Sequence, residues 1–470
     1  MALTLWLLLA LIGACGARGR PSMPLKVPNA NTEKRRELLG AVHRRHKRWR
    51  KWERHHSHSA AGCTAEDGRG DVILRWNNQT LDTVRSKELG AAEASRTYAM
   101  VNLAMFDAVN GIDLSSSSSK TCPRYPALVG AVGAPKCADR EAAAAAAAHA
   151  VLAGLYPDMA DTYNAQLAED LESRSGDNFD RGVQWGAMVG RQVVTARKDD
   201  GSSPSETLAK SDQVGEFRQD WTSAQYRNMD PFGIKDKAPY RSPGPPALDS
   251  PEYARDHSEA RLEGDASDFN QTKEEIFRFW KGGSGSARPP GEWIKIGQVV
   301  AEQQGTTKSL SGTARLFALL SAALADSTIV AWDSKFTYRH WRPQTAIREA
   351  NTDGNSETVQ VDGWTPRNGS PGSSPEHTSG QSTFAGAGST VLAAFYCTDQ
   401  ITFTFEGDDA IAGERTYTSF SEAAAEAGQA RIFAGIHFRF SDQAGQAAGR
   451  ALANEILGSF LRCRHCSHCA

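Results

Sequence analysis

Three short stretches carry side chains whose types and spacing can do chemistry. The first is Lys335-Phe336-Thr337-Tyr338-Arg339-His340-Trp341-Arg342-Pro343. Lys335, Arg339 and Arg342 are spaced i, i+4, i+7, so on a continuing helix they share one face. Three cations on one face repel one another unless solvent, paired carboxylates or a bound anion relieves them. The stretch extends a very apolar run, 314–332, and holds Tyr338 and Trp341, which favours an anion. The second stretch runs from Ser373 to Gln381. Ser379 suits a helix N-cap, and Gly380 lets the backbone come close to whatever lies ahead. Free N–H groups at a helix start, with the macrodipole, make an anion seat. The third is Arg431-Ile432-Phe433-Ala434-Gly435-Ile436-His437. Arg431 and His437 do not share a face of an unbroken helix, but Gly435 can turn the chain so that both converge. Taken singly, these residues also read as an ordinary cap, a helix-end cation and a core histidine.

The elements that must position them read as helices. Thr80–Asn110, Asp139–Leu155, Asp158–Leu171 and Phe179–Arg197 form a first group, with Val72–Trp76 ahead of it and Asn77-Asn78 as a break. Asp139 and Glu141 suit the positive end of the second helix. His149, in its alanine-rich run, reads as a core or rim histidine. Tyr253–Glu263, Lys273–Trp280, Pro289–Gln303, Ala314–Trp341, Ser379–Phe395, Phe420–Phe433 and Asp442–Phe460 complete the set. Pro343 marks a helix boundary. The irregular 201–251 connection, rich in Pro, Ser and Gly, is of the kind that lines sites or wraps domains. β-alternation is nearly absent. The expected fold class is all-α, as two side-by-side helix bundles.

Composition bounds the rest. The chain has 470 residues, 40% of them apolar, ample for a sizeable core. Its net charge of −2 is uneven: residues 1–62 carry 13 Lys/Arg against 3 Asp/Glu, and the remainder 40 against 52. An acidic folded part argues against a nucleic-acid partner and makes any cationic site a pocket rather than a patch. Residues 1–17 read as a signal peptide, with an apolar core at Trp6–Ile12 and small residues at Ala14–Ala17. That implies a secreted or extracellular protein, and no later run is expected to span a membrane. Asn78, Asn270 and Asn368 head glycosylation sequons compatible with that route. Residues 18–62 are a basic leader, a run of like charge that reads as disordered. Residues 63–460 form the helical domain. The 461–470 tail, with Cys463, His465, Cys466, His468 and Cys469, lacks the second half of an ordinary zinc site. Cys122 and Cys137 flank a loop and are placed to bridge in an oxidising compartment.

Together, Lys335 with Arg342-Pro343, Ser379-Gly380, and Arg431 with His437 resemble the three-part signature of the vanadium-dependent haloperoxidases and the related type 2 phosphatidic acid phosphatases. The core signature lies within 311–455. The flanks Arg315–Leu320, Ala331–Lys335, Pro375-Glu376, Ser382–Phe384 and Arg431–Phe438 resemble the haloperoxidase branch, and the likeness extends over 71–460. The resemblance implies a pair of four-helix bundles around vanadate, with phosphate as a substitute. Lys335, Arg342 and Arg431 would hold its equatorial oxygens, and Ser379 and the Gly380 N–H would add hydrogen bonds. His437 would be the metal ligand in a peroxidase or the nucleophile in a phosphatase. The implied partners are hydrogen peroxide, halide and a small organic acceptor. Oligomeric state stays open.

The pattern departs from the family in one site. The family's central motif ends in a histidine that does acid–base work, and here Gln381 stands there. Glutamine hydrogen-bonds but cannot deliver a proton, and such help is worth ~10²–10⁴-fold. His377 and His340 are candidate understudies. Ala430 and Ser441 replace a serine and an aspartate of the third motif, with Asp442 next door, so the group orienting His437 is open. Three readings follow: a haloperoxidase weakened at Gln381, an acid phosphatase of the same fold, and a non-catalytic oxoanion-binding or matrix protein on that scaffold.

Overall fold

The computed structural model describes residues 68–462, apart from 117–125, 131, 173 and 410–411. The signal-like segment, the basic leader and the Cys/His tail from Cys463 lie outside the described residues. Cys137 is disulfide-bonded, and its partner lies outside them too.

The chain is all-α with one small hairpin. Helices α1 (Asp71–Ser86), α2 (Ala91–Ser115), α3 (Arg140–Leu155), α4 (Ala160–Leu171) and α5 (Asp177–Ala196) form the first bundle. After the long connection come α6 (Pro251–Glu263), α7 (Gln271–Phe279), α8 (Arg288–Gln303), α9 (Leu310–Tyr338), α10 (Pro343–Arg348) and α11 (Gly380–Phe395). Strands β1 (Phe403–Glu406) and β2 (Glu414–Tyr417) pair antiparallel, followed by α12 (Phe420–Phe433) and α13 (Arg439–Ser459). Side-chain caps start many helices: Asp139 accepts from the Ala142 N–H at 2.9 Å, Ser309 from Gly312 at 3.1 Å and Ser419 from Glu422 at 3.1 Å. Each such cap contributes about 0.5–2 kcal/mol.

Small residues set how close the helices come. The buried run Ala142–Ala148 of α3 faces Gly186 and Gly190 of α5, where a Cβ on Gly186 would lie 2.0 Å from the Ala143 carbonyl oxygen. In the second bundle, Gly386 of α11 faces α13 in the same way, a Cβ there falling 2.3 Å from the Gln446 carbonyl. Helix α9 belongs to both bundles, packing on α2 on one side and α11 on the other. One apolar core therefore runs from Ile73 through Leu320 to Ile456.

The structure corrects several expectations. Asn77-Asn78 does not break α1, because Asn77 Nδ2 donates to Ile73 O at 2.9 Å and to Asn102 Oδ1 at 3.0 Å, leaving a satisfied polar pair between α1 and α2. The break falls at 87–90, where Glu88 takes a left-handed conformation (φ 49°). The hairpin is not announced by the sequence; its Phe405 and Tyr417 pack on Phe279 and Trp280, and Phe403 packs on Tyr417. Helix α9 is, against expectation, long and apolar enough to cross a membrane. Yet 94% of its most apolar window is buried within the protein, as a core helix requires.

The long connection wraps the second bundle, as its composition suggests. Its main anchor is Asp326 on α9, fully buried, which accepts from the N–H groups of Phe232, Gly233 and Ile234 at 2.7–2.8 Å. Asp326→Asn sets an NH2 against one of those donors. We expect a loss of about 1–3 kcal/mol, read as a lower midpoint in thermal unfolding; an unchanged midpoint would show that the anchor is dispensable.

Candidate oxoanion site

Lys335 lies in the last buried turn of α9. The helix does not continue to Arg342, so the expected shared face of Lys335, Arg339 and Arg342 is not formed. Arg339 turns left-handed (φ 49°) and its guanidinium lies over the Phe336 ring at 5.6 Å. The connection captures the freed backbone: the Phe217 N–H donates to Arg339 O at 2.7 Å and the Trp341 N–H to Gly215 O at 2.9 Å. Pro343 opens α10 rather than closing α9, and it holds Arg342 extended (φ −82°, ψ 156°). The turn, not a helix face, brings Lys335 and Arg342 together.

Their head groups meet the loop before α11. Lys335 Nζ donates to the carbonyls of Pro375 and Glu376, the second at 3.1 Å. Arg342 donates from Nε to Ser374 O at 2.8 Å, from Nη2 to Ser374 Oγ at 3.2 Å and from Nη1 to Ile436 O at 2.6 Å. The same Nη1 lies 3.0 Å from His437 Nε2. Gly372 leaves room for the guanidinium, since a Cβ there would approach its carbon to 3.0 Å.

The third stretch converges as Gly435 allows. Helix α12 ends at Phe433, Gly435 takes φ 71°, and the chain reaches His437 just before α13. A Cβ on Gly435 would lie 2.6 Å from Gly264 O, so the turn is closed to larger residues on steric grounds as well. Arg431 reaches the Trp280 carbonyl from Nη1 at 3.4 Å, and its buried Nε has no protein partner. Ser379 caps α11, its Oγ accepting from the Ser382 N–H at 3.3 Å and the Ser382 hydroxyl at 2.8 Å. The Ser379 N–H donates to Ser441 O at 3.3 Å, so the starts of α11 and α13 lie side by side. The Gly380 N–H is in the first turn, where no intrahelical acceptor exists.

The sequence reading missed Glu376 as a working group. It is fully buried, and its Oε1 accepts from His437 Nδ1 at 2.8 Å and from the Phe438 N–H at 3.0 Å. The proton of a neutral His437 is thereby held on Nδ1, leaving a lone pair on Nε2. Asp442, the sequence neighbour considered for this task, faces elsewhere: it accepts from Gln446 at 3.0 Å and from Arg439 at 3.4 Å. Ser441 donates to the Glu376 carbonyl at 3.3 Å. Its place as the one carboxylate of the Ser373–Gln381 stretch was the available signal.

Gln381 is also in the cluster. Its Nε2 donates to Trp280 O at 2.7 Å, the carbonyl that Arg431 also uses. The two understudies do not replace its missing proton. His377 is buried against Ser242 Oγ (2.6 Å), and burial with the neighbouring charges keeps it well below its ordinary range. His340 sits among Tyr253, Phe438 and Phe440, where burial pushes it down to about 3. Both are neutral at neutral pH and poor acids.

The charge balance is uneven. Burial lowers Lys335 well below its usual value, Arg342 to about 10 and Arg431 to about 9; Arg342 adds to the lowering of the other two, and Arg431 to that of Lys335. Glu376 is pushed up by burial against the pull of Arg342 and Lys335. Burial, then Arg342, Lys335 and Arg431, hold His437 neutral. Buried Lys335 and Arg342 and half-buried Arg431 face one carboxylate, an arrangement that is costly unless a further anion joins it. Around them, Arg431 Nε, Gln381 Oε1, Thr378 Oγ1 and Glu376 Oε2 are buried without a protein partner. Cationic donors plus one neutral imidazole lone pair suit an oxoanion whose central atom accepts a nitrogen ligand.

Residues 315–465 match the family described as the VCPO second helical-bundle domain. The whole fold is similar to that of a bacterial vanadium-dependent iodoperoxidase, at TM-score 0.69 and 21% identity, covering 84% of this chain and 98% of that one. The chain has the vanadium haloperoxidase fold. Two forms of a bacterial vanadium-dependent chloroperoxidase match this haloperoxidase fold at lower similarity. The holo form has TM-score 0.60 and 16% identity over 83% of this chain and 97% of that one. The apo form has 0.57 and 17% over 78% and 93%. No curated protein matches the chain by sequence. In this haloperoxidase fold, Lys335, Arg342, Arg431 and His437 lie close enough to act on one another electrostatically, with Ser379 and Gly380 at the start of α11.

Proposed function

We propose that the chain is a secreted vanadium-dependent haloperoxidase that oxidises halide with hydrogen peroxide and passes the oxidised halogen to a small organic acceptor. The observation that carries this reading is the excess of buried positive charge around a neutral histidine. Lys335, Arg342 and Arg431 would hold the oxygens of vanadate, each charge-assisted bond being worth roughly 1.5–3 kcal/mol. The Gly380 N–H and the Ser379 hydroxyl would add to them, and His437 Nε2 would ligate the metal. When bound, the vanadium acts as a Lewis acid that polarises peroxide toward halide attack.

The chain's own residues supply the rest. Glu376 keeps the His437 proton on Nδ1 and its ring in one orientation. Arg342 releases His437 Nε2 when its guanidinium turns to an anion. Gln381 orients but donates no proton, so protons must come from solvent, and turnover is slow. Iodide and bromide are the proposed halides. Secretion rests on the apolar Trp6–Ile12 segment.

The test is calorimetric titration with vanadate alongside bromide and iodide oxidation assays. Stoichiometric binding with slow, vanadate-dependent oxidation is the expected result. Binding without oxidation would leave an oxoanion-binding scaffold; vanadate-inhibited hydrolysis of phosphate esters would make the chain a phosphatase; no binding ends the reading. Glu376→Gln keeps an acceptor for Nδ1 but removes the charge that makes the ring basic. We expect ~10–100-fold weaker vanadate binding, with phosphate, which needs no nitrogen ligand, less affected. Equal losses for both anions would assign Glu376 a purely structural part.

A further inference from the structure

We propose that Gln381 makes this site selective for oxoanions that carry a proton, rejecting fully deprotonated ones such as sulfate. The inference rests on the oxoanion site described above and adds to it a rule for which anions enter.

The amide of Gln381 has one orientation. Its Nε2 donates to Trp280 O at 2.7 Å. The flipped amide would set two carbonyl oxygens against each other, which repel. Trp280 itself is fixed: its ring stacks on Trp293 (6.4 Å between centroids, 27°) and its Nε1 donates to Glu426 Oε1 at 3.0 Å. The Trp280 carbonyl is thus a rigid anchor, and the Oε1 of Gln381 is left as a pure acceptor. Gln381 is only 7% exposed, and that oxygen has no protein partner.

Its neighbourhood decides what can meet it. Arg431 Nη1 shares the Trp280 carbonyl, so the amide lies alongside a guanidinium of the anion cluster. An anion drawn in by Lys335, Arg342 and Arg431 brings an oxygen toward Gln381. If that oxygen bears a hydrogen, it donates to Oε1 and both groups are satisfied. If it is bare, two acceptors face each other in a buried site and the contact is repulsive. Phosphate and vanadate each keep at least one hydroxyl at neutral pH, whereas sulfate keeps none. A histidine at this place could offer N–H to a bare oxygen; the Oε1 of Gln381, which faces whatever meets it as an acceptor, cannot. The discrimination follows the general rule that a buried polar group left unpaired rejects the ligand lacking its complement.

Inorganic phosphate and sodium sulfate are titrated calorimetrically into the full chain at neutral pH, and then into Gln381→Met, which keeps the volume and removes the acceptor. Wild type is expected to bind phosphate on the order of 10- to 100-fold tighter than sulfate, and Gln381→Met to lose most of that preference by gaining sulfate. Equal affinities in wild type, or a preference undiminished in Gln381→Met, overturn the proposal while leaving the oxoanion site standing. Failure to bind either anion, or vanadate, overturns both. Circular dichroism of the variant separates misfolding from lost selectivity. If Gln381→Met does not fold, Gln381→Glu is used instead. Its carboxylate has no amide N–H for Trp280 O and, when ionised, only acceptors, so phosphate should suffer less than sulfate.

Discussion

Gln381→His is expected to raise the rate of halide oxidation by about 10²–10⁴-fold, the usual worth of a positioned acid–base group. The imidazole would sit where the amide now lies, beside Arg431 and within reach of the Trp280 carbonyl. An N–H on that carbonyl would orient the ring, as it orients the amide. Arg431 disfavours a second positive charge, so the new histidine would be mostly neutral at neutral pH and would protonate as pH falls. The pH–rate profile should therefore gain an acidic limb that wild type lacks. Steady-state assays with iodide and bromide over a range of pH check this. A gain in rate without the new limb would point to altered packing instead of proton transfer. No gain at all would place the defect elsewhere, at Ala430 or in the Glu376–His437 pair.

His437→Ala should separate the two classes of anion. On the proposed reading it removes the nitrogen ligand of the metal, at a cost of roughly several kcal/mol, so vanadate affinity should fall on the order of 10³-fold and halide oxidation should vanish. Phosphate relies on Lys335, Arg342 and Arg431, and should weaken by no more than about tenfold. The truncation also frees Arg342 Nη1, now 3.0 Å from His437 Nε2, and leaves Glu376 without its ring partner. Paired titrations with vanadate and phosphate read out the difference. Parallel loss of both anions would mean that His437 holds the site together without ligating anything.

Much of the fold was legible because caps and composition act locally. Asp139 and Ser379 start their helices as their side chains dictate, and Phe420–Phe433 begins and ends where its pattern does. The errors lie where distant chain overrides local preference. Ala314–Trp341 reads as one helix, yet Phe217 and Gly215, over a hundred residues earlier, hold the backbone at Arg339 and Trp341. Asn77 reads as a breaker until Asn102 of the next helix satisfies it.

The site shows the same division. Motif spacing singles out Lys335, Arg342, Arg431 and His437, which the fold brings near one another, but the turn that joins the first two reads as a helix face in the sequence. Glu376 reads only as a flank, because its partner His437 lies 61 residues away and nothing local ties them. The Trp280 carbonyl was invisible for a stronger reason. A backbone oxygen has no letter in the sequence, and its position is set by aromatic packing against a hairpin that alternation failed to announce.

The sharing of α9 between the bundles bears on what can be cut from this chain. The family match begins at residue 315, five residues inside α9, which starts at Leu310. A fragment starting there would keep Lys335, Arg342, Arg431 and His437 but lose the Ser309 cap and every helix of the first bundle. The face of α9 that now meets α2, already apolar enough to suit a lipid bilayer, would meet water. The half that holds the proposed site is thus the half least fit to live alone, and the first bundle, which contributes none of those four side chains, covers the face it would otherwise expose.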